Sequence, residues 1–382
     1  MTTIKFFMNL APHYRAPLWK VLLNNPEWNV HFFYGDHASL VETIDFEREG
    51  FSSNSEQIHK VKNYWWKGTV LIWQKGIIHE CLKSKFEFAV FPGEMSRLST
   101  WVAAIICRLR EVKVVFWEHG LYGDEKGVTL MLKKAFFSLA HKHLLYERRA
   151  KKLMIEHGFA PDNLYVFFNS LDYDAHKVLR HKLLSLQKKN VFPFFTNPNL
   201  PVVIFIGRLT GVKKLDLLLQ SVNQINDKQT NVNLLIVGDG IYRNSLEEQG
   251  RKGIQNGWLY FAGACYDEEK NGRYLSFADL CVSPGNVGLT AIHALSFGTP
   301  VCTHDNMYNQ MPEAGAIQAG YNGFFFREND VNDLKIKIED WLNQMDRLQV
   351  RKNSYEIIDK YYNQHYQLSV FNRLISGVTP EL

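Results

Sequence analysis

Two doubly wound α/β domains are the architecture this sequence predicts, each a Rossmann-like parallel sheet with helices on its faces. Three observations predict it. Strand-like and helix-like segments alternate along most of the chain. Short apolar runs close on Gly, Asn or Asp turns, as strands buried on both faces do. At 382 residues the chain is also too long for one ordinary hydrophobic core.

The first half opens with an apolar strand from Thr3 to Met8. It ends in a turn, Asn9-Leu10-Ala11-Pro12-His13-Tyr14-Arg15-Ala16-Pro17, and Leu18 to Leu23 begins a helix. NVHFFY at 29–34 is the next strand, so the opening βαβ unit calls for parallel strands and right-handed crossovers. Residues 36–62 are polar and read as a long loop. Phe86 to Phe91 is a strand before Pro92-Gly93-Glu94, and Ser99 to Leu109 is an apolar helix. Val112 to Trp117 is a strand ending in Glu118-His119-Gly120. Residues 130–145 read as one helix and Glu147 to His157 as another. Leu164 to Phe168 reads as a strand before the turn Asn169 to Asp172.

Residues 176–190 are basic and helical. The stretch VFPFFTNPNL at 191–200 holds two prolines and no charges, and an interdomain linker is expected there. The strand–helix rhythm then repeats, with strands at 202–206, 232–237, 258–262, 279–283 and 300–303. The expected domains are 1–190 and 191–357, with a terminal helix at about 358–382 packing back on the first. Ligands of such sheets sit beyond the carboxyl ends of the strands.

Composition narrows the class. Hydrophobic residues make up 46% and charged residues 22%, and no apolar run reaches the 18 residues a membrane helix needs. The early apolar run breaks at Pro12, too short for a signal peptide, so a cytoplasmic location is expected. The five cysteines are scattered without CxxC spacing, which suggests neither a disulfide framework nor a zinc site. Residues 1–190 carry 27 Lys and Arg against 19 Asp and Glu, whereas residues 191–382 carry 17 against 20. The basic half suggests an anionic partner, but no recognition motif points to nucleic acid.

Two stretches carry chemistry. In PVVIFIGRLTGVKKLDLLLQ (201–220), Gly207 turns the chain sharply after a buried strand, Arg208 and Lys213 follow, and a helix begins. Helix N-termini and a guanidinium both hold phosphate well. An ordinary βα connection with solvated cations is the alternative. In SPGNVGLTAIHALSFGTPV (283–301), Asn286 is a suitable N-cap and Gly288 lets the backbone approach a ligand. The N–H groups of Val287, Gly288 and Leu289 are expected to be free for that ligand.

With GRLTGVKK, LLIVGDG, FADLCVSP, GLTAIHALSFGTPV and PEAGAIQAGYNGFFF in this order, the second half resembles the retaining GT-B glycosyltransferases of family 4 over about residues 200–330. The first half resembles them more loosely, through His119 and the 169–172 turn. The resemblance implies a GT-B fold and sugar transfer from a nucleoside diphosphate sugar to a glycan or lipid-linked saccharide, in cell-surface polysaccharide synthesis. It implies donor-diphosphate roles for Arg208 and Lys213, and places Gly207 and Gly238 at the same turns. It implies a place for Gly263 near the base, for Glu313 on the donor side, and for His119 at the reacting sugar. No cofactor is expected, and the lack of a DxD-type pair predicts no metal requirement.

The departures concern two family glutamates, separated by seven residues, which are Gly285 and His293 here. His293 could serve the ribose that the second glutamate usually binds, or simply be a structural histidine. The family's Gly-Gly turn is replaced by residues 11–15, making His13 and Arg15, with Glu94, the acceptor-side candidates. An inverting enzyme would use Glu94 or Glu118 as base. Segments 62–85 and 129–145 mix aromatic residues with lysines and suggest docking on an anionic membrane, or a core with a solvated face. A catalytically silent sugar-nucleotide-binding subunit, or a GT-B-like phosphorylase or epimerase, is the alternative activity.

Overall fold

A computed structural model describes residues 1–35, 43–66, 71–183 and 185–382. Residues 36–42 of the expected loop, and Lys67 of the Trp- and Lys-rich segment, lie outside the described residues. The chain divides into two compact units, Met1–Asp172 with Asn363–Leu382, and Tyr173–Tyr362.

The first unit is built on a seven-stranded sheet. Its strands are β1 (Thr2–Met8), β2 (Trp28–Tyr34) and β3 (Ile58–Lys60), and, after a separate antiparallel hairpin β4 (Asn63–Trp66) and β5 (Leu71–Gln74), β6 (Phe88–Pro92), β7 (Lys113–Glu118), β8 (Lys142–Leu145) and β9 (Leu164–Val166). They lie in the order β3-β2-β1-β6-β7-β8-β9, every neighbour parallel. Each face covers its own buried cluster, one around Phe6, Trp19, Phe32 and Trp117, the other around Phe7, Phe91, Phe116 and Phe136. This is why the strands are apolar at nearly every position rather than at alternate ones. Helix Gln364–Ile375 belongs here. Its Phe371 ring lies 5.4 Å from Phe6 and 5.3 Å from Trp28, and the Tyr366 hydroxyl donates to the Val166 carbonyl at 3.2 Å.

The second unit holds β10 (Val202–Ile206), β11 (Asn233–Val237), β12 (Leu259–Gly263), β13 (Leu280–Ser283), β14 (Val301–His304) and β15 (Gly323–Phe326). Their order is β12-β11-β10-β13-β14-β15, again all parallel. In both sheets the first strand of the unit sits centrally, and the chain winds away from it first to one side and then to the other. The strand order therefore reverses beside β1 and beside β10, where doubly wound sheets open a crevice at their carboxyl ends.

Two expectations are corrected. Residues 130–145 are not one helix: Gly127–Phe137 is helical, the chain turns through Ser138–Ala140, and 142–145 is strand β8. The lysines at 133, 134 and 142 made the stretch look uniform, but the Leu144-Leu145 pair is fully buried in the sheet. The stretch 191–200 is not a linker between the units, since the division falls at Asp172. Phe192 and Phe195 are buried and Phe194 stacks on Tyr260 at 3.9 Å, so this stretch is a strap packed on the second unit. A charge-free, proline-containing segment reads the same way whether it bridges domains or covers one; the three phenyl rings were the distinguishing signal.

Candidate functional site

In the second unit, the ends of β10, β11 and β13 bring most of the donor candidates together. Gly207 has φ 148° and Gly238 φ 143°. A Cβ on Gly238 would lie 1.9 Å from the Gly207 carbonyl oxygen, so these two turns approach as closely as backbone can. The Gly238 N–H donates to the Gly263 carbonyl at 2.8 Å, which ties the end of β12 to the same edge.

Arg208 follows Gly207 and is exposed; its carbonyl accepts from the Thr210 N–H at 3.1 Å, but among the described residues its guanidinium makes no hydrogen bond or ion pair. Lys213 lies in the short turn Gly211–Lys213. Its Nζ donates to the Asn286 carbonyl at 2.7 Å and to Asn286 Oδ1 at 2.9 Å. Burial and the nearby positive charge of Arg208 lower the Lys213 pKa, against the opposing field of Glu313. Three of the expected residues thus share one electrostatic neighbourhood, with Glu313 buried in the turn Pro312–Ala316. The adjacent Lys214 turns away to Glu328 at 3.1 Å and Asn329 at 2.7 Å.

The helix Leu289–Ser296 begins beside this group. The N–H groups of Gly288 and Leu289 have no partner among the described residues. That of Val287 is not free, contrary to expectation, because it donates to Gln310 Oε1 at 2.8 Å. Gln310 is held in turn by donating to Thr303 Oγ1 at 2.8 Å and to the His304 carbonyl at 3.0 Å. The missing family glutamate has a steric counterpart. A Cβ on Gly285 would lie 1.9 Å from the Val212 carbonyl oxygen, and the Gly285 N–H donates to the Lys213 carbonyl at 3.0 Å. His293 points its Nε2 at Glu268 Oε1, 2.7 Å away, and the same oxygen lies 2.8 Å from His176 Nε2. Its ring nitrogen therefore already has a protein partner.

In the first unit a cavity of about 210 Å³ opens where β1, β6 and β7 end. His119 and Arg15 line it. The Arg15 guanidinium lies 4.3 Å over the Trp117 ring and donates to the Tyr146 hydroxyl at 2.5 Å. Burial, helped by the charges of Arg15 and Lys133, lowers His119 to about 4, so its imidazole is neutral near pH 7. His119 Nδ1 is buried with no partner among the described residues. Glu94 lines the cavity and pairs with Arg97 at 2.5 Å. Glu118 is buried against His143, and burial raises its pKa, opposed by His143. His13 is exposed and does not line this cavity. Tyr146 and Arg97 were missed. Tyr146 stands directly after β8, and reading 130–145 as a helix hid that strand end. Arg97 lies just beyond Pro92-Gly93-Glu94, where its charge was the available signal.

Residues 187–357 match the family model described as glycosyl transferases group 1. An uncharacterized glycosyltransferase, MJ1059, of Methanocaldococcus jannaschii is 27% identical over 202 residues, 52% of this chain and 47% of that protein. The glycogen synthase of Clostridium perfringens is 29% identical over 219 residues, 49% of this chain and 42% of that protein. The alpha-monoglucosyldiacylglycerol synthase of Streptococcus pneumoniae is 28% identical over 109 residues, 28% of this chain and 24% of that protein. The chain thus matches these relatives over half of their length or less. Among solved structures, Anabaena Alr3699/HepE in complex with UDP aligns with a TM-score of 0.70 at 15% identity, covering 99% of this chain and 100% of that one. The lipopolysaccharide outer core galactosyltransferase WaaB aligns at 0.68 and 14%, covering 98% and 99%. The fold is GT-B, as the motifs implied.

Proposed function

On a GT-B fold whose second unit carries the glycosyl transferases group 1 pattern, we propose that the chain is a hexosyl-type glycosyltransferase. It moves a sugar from a nucleoside diphosphate sugar to a glycan or lipid-linked saccharide in cell-surface polysaccharide synthesis. The observation that supports this best is the unpartnered Arg208 guanidinium beside Lys213, Glu313 and the open N–H groups of Gly288 and Leu289. In the reaction these cations and amides take up the charge that develops on the leaving diphosphate. Each well-placed donor lowers such a barrier by roughly 3 kcal/mol.

Transfer proceeds with retention and needs no metal in this reading, and Gly207, Gly238 and Gly263 shape the nucleotide side. His119, neutral at working pH, exchanges hydrogen bonds with a sugar hydroxyl rather than supplying a cation. Arg15 and Glu94 flank the acceptor. UDP is the nucleotide named in the HepE complexes and the first to assay. The decisive experiment measures nucleoside diphosphate release from a panel of sugar nucleotides with saccharide acceptors, and product anomeric configuration by NMR. Conversion of a sugar nucleotide to its epimer, with the nucleotide still attached and no glycosidic bond formed, would instead favour an epimerase, an activity named for a Listeria monocytogenes structure of the same fold, a putative UDP-N-acetylglucosamine 2-epimerase.

A second reading, a silent sugar-nucleotide-binding subunit, is favoured by Gly285, where the family glutamate has no room. Donor binding without turnover would establish it.

Cytoplasmic location with peripheral membrane attachment completes the proposal. No helix among the described residues is long and apolar enough to cross a membrane. Trp66, Leu82, Met131 and Leu132 are exposed within the two segments singled out from the sequence, whereas Ile77, Phe136 and Phe137 are core. Exposed Leu98, Val102, Ile105 and Leu109 recur on one face of the helix Leu98–Leu109. Flotation with anionic vesicles at low salt tests this.

A further inference from the structure

Outside the phosphate-facing residues, the second unit gathers two imidazoles and a carboxylate that the proposed reaction does not use as a set. His176 comes from helix Tyr173–Leu183, Glu268 from the start of helix Glu268–Phe277, and His293 from helix Leu289–Ser296. One donor atom from each lies within 4.8 Å of the others. Both imidazoles aim Nε2 at the same oxygen, Glu268 Oε1, at 2.8 and 2.7 Å. The two rings lie 5.5 Å apart and 21° from parallel. Phe297 packs against both, 5.0 Å from His176 and 5.6 Å from His293, so the nitrogens are held facing inward. His176 is buried and His293 nearly so, while the Glu268 side chain is 43% exposed, which leaves one side open to water.

We propose that His176, Glu268 and His293 form a divalent transition-metal site, with zinc its best-matched occupant. Two imidazoles and one carboxylate are the donor set that zinc and its neighbours prefer, whereas magnesium and calcium prefer oxygen ligands alone. Zinc sits about 2.0–2.2 Å from such atoms. Their present separations therefore need to widen only a little, and Glu268 is exposed enough to yield. The open side supplies the position for a water or a small ligand. The three donors come from helices far apart in sequence, so the unfolded chain presents no such site. Zinc binding therefore stabilises the folded second unit by mass action. The proposal stands on these residues alone and does not depend on sugar transfer.

The test uses metal-stripped, untagged full-length protein titrated with zinc chloride by calorimetry, and melted with and without zinc. One zinc per chain at micromolar or tighter affinity, with a raised Tm, is expected; magnesium chloride should do neither. His176→Gln combined with Glu268→Gln should weaken zinc binding at least about tenfold. Should that variant fail to fold, the wild-type cobalt(II) complex decides, because visible bands of a four- or five-coordinate nitrogen and oxygen site support the proposal. Failure of the wild type to bind zinc below about 100 μM, well short of the affinity of built zinc sites, would overturn it. So would a folded double variant that binds as tightly, or thiolate bands pointing to Cys265, which alone of the five cysteines is not buried.

Discussion

The two sheets place their crevices at equivalent points, beside β1 in one unit and beside β10 in the other, yet the cations there are held differently. In the first unit Arg15 is committed: it stacks on Trp117 and donates to Tyr146, and the neighbouring Arg97 is paired with Glu94. In the second, Arg208 is exposed with its guanidinium unpartnered among the described residues, and Lys213 leans only on the neutral Asn286. A cation that already has partners shapes a wall. A cation with no hydrogen-bonded counter-charge, only the field of the nearby Glu313, is left to meet an anion. The contrast is what supports proposing the second unit for the diphosphate and the first for hydroxyl recognition.

The sharpest way to break that contrast is to remove the waiting cations. Arg208→Ala with Lys213→Ala should lower kcat/KM for nucleotide release by at least about a thousandfold, given losses of about 10²–10³ per donor. Unchanged turnover would move the phosphate site elsewhere.

Next in size is Gly285→Glu, which restores the family residue. The new side chain would collide with the Val212 carbonyl, so the expected result is about 2–4 kcal/mol lost from stability in denaturant melts and no gain in activity. A stable, more active variant would show that the 211–213 turn yields.

The first-unit wall is tested by pH. His119 falls from an ordinary value near 6.5 to about 4 in the fold, so between those values the unfolded chain binds the proton and the folded chain does not. Stability should therefore decline as pH drops from about 6.5 to 4, by up to roughly 3 kcal/mol from this residue. Comparing His119→Gln with wild type across that window isolates the contribution; identical pH profiles would remove the buried neutral imidazole. The smallest effect is Arg15→Lys. It loses the planar stack on Trp117 and should cost about 1 kcal/mol in stability with the second unit's donor affinity unchanged.

How legible all this was depends on range. Strand ends such as Gly207, Gly238 and Glu118-His119 could be read because each apolar run and its closing turn are adjacent in sequence. The run 142–145 was missed because four residues following a helix of similar composition carry too little periodicity to separate from it. The Phe-rich strap at 191–200 was misplaced because covering a sheet and bridging domains use the same residues.

By itself the sequence determined the alternation of strand and helix, the GT-B resemblance and the cations that follow β10, since these depend on local pattern and spacing. Only the tertiary structure decided that Gln310 occupies the Val287 amide, that the Val212 carbonyl leaves no room at Gly285, and that His293 meets Glu268 and His176. Those facts arise where segments distant in the chain are packed side by side. Side-chain direction and steric room exist only once the sheet has brought them together.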